Sequence, residues 1–323
     1  MRAVIAEAHG GPEVLRLAEH DSPQPGPGQL LVDVTIAGVN YMDIYQREGR
    51  QPYRGDVPFV LGSEGAGTVA GVGPDVPGAR QGDRVAWTGI SGCYAEQVII
   101  PADRAVPVPE EIDLETAGAV MLQGMTAHYL ATDTYPVAEG DPAVVHAAAG
   151  GVGLLLTQIV KMRGGVVIAT TSTLQKAELA RAAGADHVAG YDDFGVVARE
   201  ATGGKGAAVV YDGVGQATFD ASLAALRRRG YMVLYGGASG PVPPVDPQRL
   251  MTGGSLFLTR PTLVDYIATR EELLSRAEDL FGWIRQGKLD VRIGGRYPLA
   301  EAARAHEDLA ARRTTGKLIL LPR

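Results

Sequence analysis

The stretch HAAAGGVGLLLTQIVKMRGG, His146 to Gly165, follows the apolar run PAVV and decides how the second half of the chain folds. A buried strand, a glycine turn and a helix start follow one another here, the arrangement of a dinucleotide-binding turn. The spacing reads A-x-G-x-x-G, with Ala148 where the G-x-G-x-x-G fingerprint has its first glycine. Gly150 and Gly151, with Val152 beside them, would let backbone N–H groups at the helix start meet a pyrophosphate. Gly153 would let the helix lie close against the strand. Ala148 replaces only the tight-turn glycine, which is tolerable if its φ stays negative.

The surroundings supply the context that this motif needs. From about Glu115 the chain alternates strand and helix. After the turn come a helix (154–162), VVIATT, a helix (174–183), DHVAGY, a helix through Arg199, AAVVYDGVG, a helix over 219–228, YMVLYGG and SLFLTRP. Strict alternation of this kind is the signature of a doubly wound parallel sheet, an α/β Rossmann domain. The first 120 residues differ. LLVDVTIAGV reads as a strand, GAGTVAGVG as a glycine-punctuated strand pair, and QGDRVAW and YAEQVIIP as further strands. That texture predicts an antiparallel, partly closed β domain. The tail from Glu271 carries a long amphipathic helix and then strand, helix and strand, which are expected to rejoin the β domain. The expected division is 1–121 with 263–323, and 122–262.

With 323 residues, 46% hydrophobic and 21% charged, the chain has the composition of a soluble globular protein. Its net charge of −7 argues against a polyanion binder, since counterion release needs clustered cations. RRRG at 227–230 and the arginines around Arg312 read as solvated helix ends. Cys93 is the only cysteine, which excludes an internal disulfide and a multi-cysteine zinc cage. The N-terminus lacks the apolar core of a signal peptide, and Ala143 to Val160 is too interrupted by glycine for a membrane span. A cytoplasmic protein is expected, with no membrane partner. Cys93 reads as an apolar filler, and His146 as a core histidine satisfied by a neighbour.

The end of the second strand separates NAD from NADP. An NAD site carries an acid about twenty residues past the turn, on the ribose 2′-hydroxyl. Here IATTSTLQK holds none between Ile168 and Lys176. Ser172 and Thr173 offer hydroxyls and Lys176 a cation to a 2′-phosphate, with Tyr191 after the next strand placed to join them. NADPH is the expected cofactor.

Several further motifs occur in order: HGGPEVL (9–15), AGVNYMDIYQREG (37–49), LGSEGAGTV (61–69), GDRV (82–85), HAAAGGVG, VYDGVG (210–215) and SLFLTRP. Over nearly its full length the chain resembles the zeta-crystallin-like NADPH:quinone oxidoreductases of the medium-chain dehydrogenase/reductase superfamily. The resemblance implies a GroES-like catalytic domain beside the Rossmann domain, with the cofactor in the cleft and a homodimer joined through the edge strand SLFLTRP. Alcohol dehydrogenases of the superfamily hold a catalytic zinc on two Cys and one His. The matching positions here are Val39 or Asn40, Ser63 and Gln123, so the resemblance and the cysteine count both imply a zinc-independent reductase with no metal. A substrate carbonyl must then be polarised by hydrogen-bond donors, for which Asn40 and Tyr45 are the candidates. Asn40 is equally suited to capping a helix over 41–47, and Tyr45 to packing.

The family pattern also points to the cofactor from Tyr41, Met42, Thr126 and Tyr129, and from Gly213, Tyr235, Gly236, Ala238 and Ser239 at strand ends. In the tail it points from Gly316 and Lys317. Asp43 reads as a structural group or a ribose-side acceptor, and Tyr53 as the stand-in for a family tyrosine missing at Gln51. The expected substrate is a small-molecule quinone. The resemblance leaves two other readings: reduction of an enone or enoyl-thioester C=C bond, and an RNA-binding or lens-structural role without turnover. The net charge makes nucleic acid the poorer partner.

Overall fold

The structure, a computed structural model, describes residues 1–322. Two compact units are present: Met1–Leu122 with Ile267–Gly287 and Val291–Arg323, and Gln123–Tyr266 with Lys288–Asp290.

The first unit opens with β1 (Arg2–Ala6), β2 (Leu15–Glu19) and β3 (Gln29–Val39), then helix α1 (Tyr41–Arg47). β4 (Phe59–Val60), β5 (Glu64–Val72), β6 (Arg84–Thr88), β7 (Gln97–Pro101), β8 (Val106–Pro107) and helix α2 (Leu114–Tyr129) follow, α2 belonging to the second unit from Gln123 on. β1 lies between β2 and β4 in a small antiparallel sheet. β3 is the spine of the larger one, pairing along its length with β5 and meeting β7 at its start. GAGTVAGVG is therefore one strand rather than a strand pair. Its glycines serve a close approach instead of a turn: a Cβ on Gly67 would lie 2.1 Å from the Asp33 carbonyl oxygen, and one on Gly65 2.6 Å from that of Ile36. Trp87, Tyr94, Leu61, Ile100 and Leu320 fill the core between these strands.

The second unit contains β9 (Pro142–Val145), α3 (Gly151–Met162), β10 (Val166–Thr170), α4 (Leu174–Ala182), β11 (His187–Ala189) and α5 (Phe194–Ala201). It continues through β12 (Ala207–Asp212), α6 (Phe219–Ala225), β13 (Leu226–Leu234), α7 (Gln248–Thr252), β14 (Phe257–Thr259) and α8 (Leu263–Tyr266). The order β11-β10-β9-β12-β13-β14, parallel throughout, reverses at β9, as in a doubly wound sheet. Val144, Ile168, Val210 and Met232 pack on Phe194, Ala198, Phe219 and Leu223 of α5 and α6. Alternate strand residues point to the other face.

One element departs from expectation. α6 stops at Ala225, because Leu226 turns extended and pairs with Ala207. Arg227 to Arg229 consequently lie on β13, not at a helix end. A run of leucines and alanines has apolar residues in step with either period, so the boundary was hidden.

The first unit is completed by α9 (Arg270–Arg285), β15 (Ile293–Pro298), α10 (Ala302–Ala310) and β16 (Lys317–Leu321), with β16 pairing antiparallel to the end of β3. A capping box of Thr269 and Glu272 starts α9. Among the described residues no helix is long and apolar enough to cross a membrane.

Candidate active site

The glycine turn is built as the sequence implies, with one displacement. Ala147, not Ala148, takes the left-handed conformation, at φ +50. Ala148 then donates its N–H to the Thr170 carbonyl (3.1 Å), and Gly150 donates to Ala147 (2.8 Å). A Cβ on Gly153 would lie 2.4 Å from the Ala147 oxygen and 2.7 Å from the Ala148 Cα, so only glycine lets α3 sit this close. The equivalent atom on Gly151 would collide with the Gln123 side chain. Gly151 thus makes room for a neighbouring side chain, whereas Gly150 meets only the Ala147 oxygen, at 3.1 Å. α3 carries no acid in its first turn, which leaves the positive end of its dipole uncompensated.

The neighbouring strand ends converge on the same edge of the sheet. Thr173 caps α4, its Oγ1 accepting the Lys176 N–H at 3.2 Å; the hydroxyl proton stays available for a ligand. Ser172 is exposed, Lys176 is half-buried, and α4 also lacks an acid in its first turn. Tyr191 lies near-parallel to the His146 ring, centroids 5.9 Å apart. After β12, Gly213 leaves space for the Tyr235 ring, and the Tyr235 N–H returns to the Asp212 carbonyl (2.9 Å). Ala238 donates its N–H to Gly213, and the Ser239 hydroxyl donates to the Val214 carbonyl (2.8 Å), locking the Gly236 loop to the Gly213 loop. Thr126 and Tyr129 are buried on α2, with Tyr129 stacked on Tyr266 at 4.1 Å.

In the first unit several of the expected residues are tied into buried networks. Lys317 is buried, its ammonium bonded to Glu64 Oε1, to Asn40 Oδ1 (2.9 Å) and to the Val39 carbonyl (3.3 Å). Asn40 donates from Nδ2 to Glu64 (2.6 Å), and the other Glu64 oxygen accepts the Leu122 N–H (2.6 Å). Asn40 and Lys317 therefore belong to a buried ion-pair network that closes β16 onto β3 and β5 and takes the Asn40 Oδ1 and one of its amide protons. Asp43 is wholly buried and accepts from the Asn40 N–H (2.8 Å), Ser63 (3.1 Å) and Tyr94 (2.9 Å). It holds the start of α1 and offers no surface to a ribose. Gly316 is a turn glycine, φ +63, that brings β16 against the Arg292 carbonyl. The Tyr41 hydroxyl donates to the Leu309 carbonyl (3.0 Å), while Met42 is half-buried. Tyr45 keeps an aromatic setting, 5.5 Å from the Tyr53 ring and 6.2 Å from Tyr41, with the Arg50 guanidinium 5.2 Å from its centroid.

His306 extends the Asp43 network. Its Nδ1 faces the Arg47 guanidinium (3.3 Å), a donor only, so Nδ1 accepts. Nε2 then carries the proton and gives it to the Tyr94 oxygen (3.1 Å), and the Tyr94 hydroxyl donates to Asp43. Burial, reinforced by Arg47, lowers the His306 imidazole to about 3. Burial lowers His146 to about 4 against the opposing pull of Asp212. Both histidines take up protons more readily in the unfolded chain, so stability falls as pH drops below their ordinary value of 6.5. Asp43 runs the other way. Burial outweighs its three donors and raises it to about 6, so acidification favours the fold at that group. The histidines outweigh it, and taking the protein from pH 7 to pH 5 should cost about 2 kcal/mol. Urea midpoints at the two pH values check this; equal midpoints would contradict it.

Sequence reasoning passed over Glu64, Thr170, Asp212, Ser222, Tyr94 and His306, buried polar groups that, except for Asp212, have partners distant in the chain. The only signal was position. Asp212 closes a strand within VYDGVG, and Glu64 stands inside LGSEG.

Family models match at residues 26–110, an alcohol dehydrogenase GroES-like domain, and at 183–320, a zinc-binding dehydrogenase. Such a pairing defines a medium-chain dehydrogenase/reductase. A quinone oxidoreductase of Pseudomonas aeruginosa is 46% identical, with 98% of each chain covered. The crystal structure of Escherichia coli quinone oxidoreductase complexed with NADPH superposes with a TM-score of 0.97 at 41% identity, covering all of both chains. A 2-haloacrylate reductase of a Burkholderia species is 40% identical over 99% of this chain and 98% of its own. The chain belongs to the quinone oxidoreductase family of the medium-chain dehydrogenases/reductases.

The zinc in the second model's description finds no suitable donors. Among the described residues no three His, Cys, Asp or Glu side chains are grouped to hold a metal. Ser63 is engaged with Asp43, and Cys93 is buried, its sulfur taking the Trp87 N–H (3.1 Å).

Proposed function

We propose that the chain is an NADPH-dependent reductase of quinones. The observation that carries this reading is the acid-free start of α3, presented by the Ala147–Gly151 turn where the strand order reverses. The N–H groups of Gly151, Val152 and Gly153, which a helix cannot pair internally, would hold the pyrophosphate. Ser172, Thr173 and Lys176, with Tyr191 beside them, would hold the 2′-phosphate. Gly213, Tyr235, Gly236, Ala238 and Ser239 would border the rest of the dinucleotide. When bound, NADPH supplies a hydride. Asn40, whose Nδ2 gives one proton to Glu64, and Tyr45 would be the groups to donate hydrogen bonds to the oxygen that gains charge.

Lys176→Ala should raise KM for NADPH about tenfold and leave KM for NADH within about twofold, since a charge-assisted bond is lost with only one of them. Equal effects on both would remove the phosphate role.

A second reading, reduction of an activated C=C bond, has support in the 2-haloacrylate reductase relative. There Tyr45 or Tyr53 would deliver the proton to carbon. Quinones, enones, enoyl thioesters and 2-haloacrylate assayed side by side with NADPH distinguish the two readings.

The protein is further proposed to act in the cytoplasm as a homodimer. β14 is the edge of its sheet, and it exposes Phe257 (49%) with Met251 (63%) and Val264 (58%) close to it in sequence. An edge with that much apolar surface calls for cover, and a second β14 would continue the sheet. Light scattering should give twice the 33.9 kDa chain mass; a monomer would contradict the dimer.

A further inference from the structure

His146, Thr170 and Asp212 share a position that the proposed function does not use. The β9–β10 ladder ends at Val145 and Ala169, and the β9–β12 ladder ends at Val145 and Tyr211. Each of the three residues therefore stands one step past the last of these pairs, although Thr170 still pairs with Ala189 on β11 and Asp212 with Leu234 on β13. All three are fully buried, as is Ser222 on α6.

Side chains add to the backbone ties at this point, where the His146 N–H still reaches the Tyr211 carbonyl and the Ala148 N–H the Thr170 carbonyl (3.1 Å each). Asp212 accepts from the Val214 and Gly215 N–H groups (2.8 and 2.9 Å) on one oxygen, and from the Thr218 and Ser222 hydroxyls (2.7 and 3.0 Å) on the other. The single Ser222 proton is thus given to Asp212, so its oxygen must accept from His146 Nε2 (2.9 Å). His146 Nδ1 is left as an acceptor, and the Thr170 hydroxyl donates to it (2.9 Å). The result is a directed chain from Thr170 through His146 and Ser222 to Asp212. It ties the ends of β9, β10 and β12 directly behind the turns at 147–151, 171–173 and 213–215. A neutral ring suits it, and burial keeps His146 neutral at pH 7. An apolar side chain of the same volume would fill the space without setting the relative height of the strand ends.

We propose that this chain is a positioning device for the cofactor, with His146 setting NADPH affinity by holding the three turns in register while touching no part of the dinucleotide. The proposal rests on the reading that NADPH binds at this edge of the sheet.

The test uses His146→Phe, which keeps a ring and removes both bonds, together with Thr170→Val, which removes only the donor to Nδ1. NADPH dissociation constants, KM for 1,4-benzoquinone and kcat at saturating NADPH are measured on the full-length protein. His146→Phe should weaken NADPH binding about tenfold, the scale of one buried hydrogen bond left unmade, and Thr170→Val several-fold. kcat should stay within about twofold and the quinone KM should not move. His146→Gln, which restores a donor to Ser222, should recover part of the loss.

Unchanged NADPH affinity in a folded variant would overturn the proposal, as would a fall in kcat with affinity intact. Should His146→Phe not fold, Thr170→Val decides on the same criterion. Nitrogen-15 spectra of the parent protein should show the Nε2–H tautomer at His146, and an Nδ1–H tautomer would also overturn it. Failure of the cofactor reading itself looks different, since the parent protein would then show no saturable NADPH binding.

Discussion

Replacing Lys317 with methionine should cost about 3–5 kcal/mol of stability. Removing this ammonium leaves the fully buried Glu64 carboxylate facing only the Asn40 amide and the Leu122 N–H. A buried charge stripped of its counter-charge is among the most expensive single defects a core can carry. The pair as a whole need not be strongly stabilising, because both partners lost their hydration on folding. Pairing Lys317→Met with Glu64→Gln should therefore recover more than half of the loss, as a neutral amide is far cheaper to bury than a lone carboxylate. Urea unfolding at pH 7 measures both variants. A single-variant loss below about 1 kcal/mol, the range of exposed pairs, would show that the network is solvated rather than buried.

Gly153→Ala should lower kcat/KM for NADPH about a hundredfold. The added methyl carbon would press into the backbone of Ala147 and Ala148, at 2.4 and 2.7 Å, and neither can move aside as a flexible side chain would. α3 must shift away from β9, carrying its N–H groups with it, and an ångström of misplacement at a binding cluster costs roughly this much. The same crowding should destabilise the fold by about 1–3 kcal/mol. Gly150→Ala provides the contrast. Its methyl carbon would meet only the Ala147 oxygen, at 3.1 Å, so it should weaken NADPH binding while melting close to the parent. Fluorescence titration with NADPH and thermal unfolding separate the two effects. Identical behaviour of the two variants would mean that Gly153 serves the ligand rather than the helix.

These two sites show what one sequence discloses and what it hides. Gly153 was legible because its role is local: a strand, a turn and a helix lie within a dozen residues, and the spacing carries the geometry. The parallel sheet was legible for the same reason, since strand and helix periods alternate from Pro142 to Thr259. The Glu64–Lys317 pair spans 253 positions in the chain, and no local pattern marks a lysine that folds into a core. Asn40 shows the limit within a motif. Its place before α1 follows from capping preference, but the direction of its amide depends on Glu64 and Lys317 arriving from elsewhere. Thr173 has one foot in each category, as the helix cap that its type and position imply and as a hydroxyl still able to serve a phosphate. Ala148 was the doubtful letter in the fingerprint. The left-handed turn falls on Ala147 instead, and the substitution costs the turn nothing.

Quinone reduction followed directly, with NADPH and NADH compared as donors, tests the central claim. With 1,4-benzoquinone present, the protein should consume NADPH and release hydroquinone in matching amounts, with kcat/KM for NADPH at least about tenfold above that for NADH. Consumption of 2-haloacrylate or an enoyl thioester with quinone left untouched, or an equal preference for NADH, would contradict it.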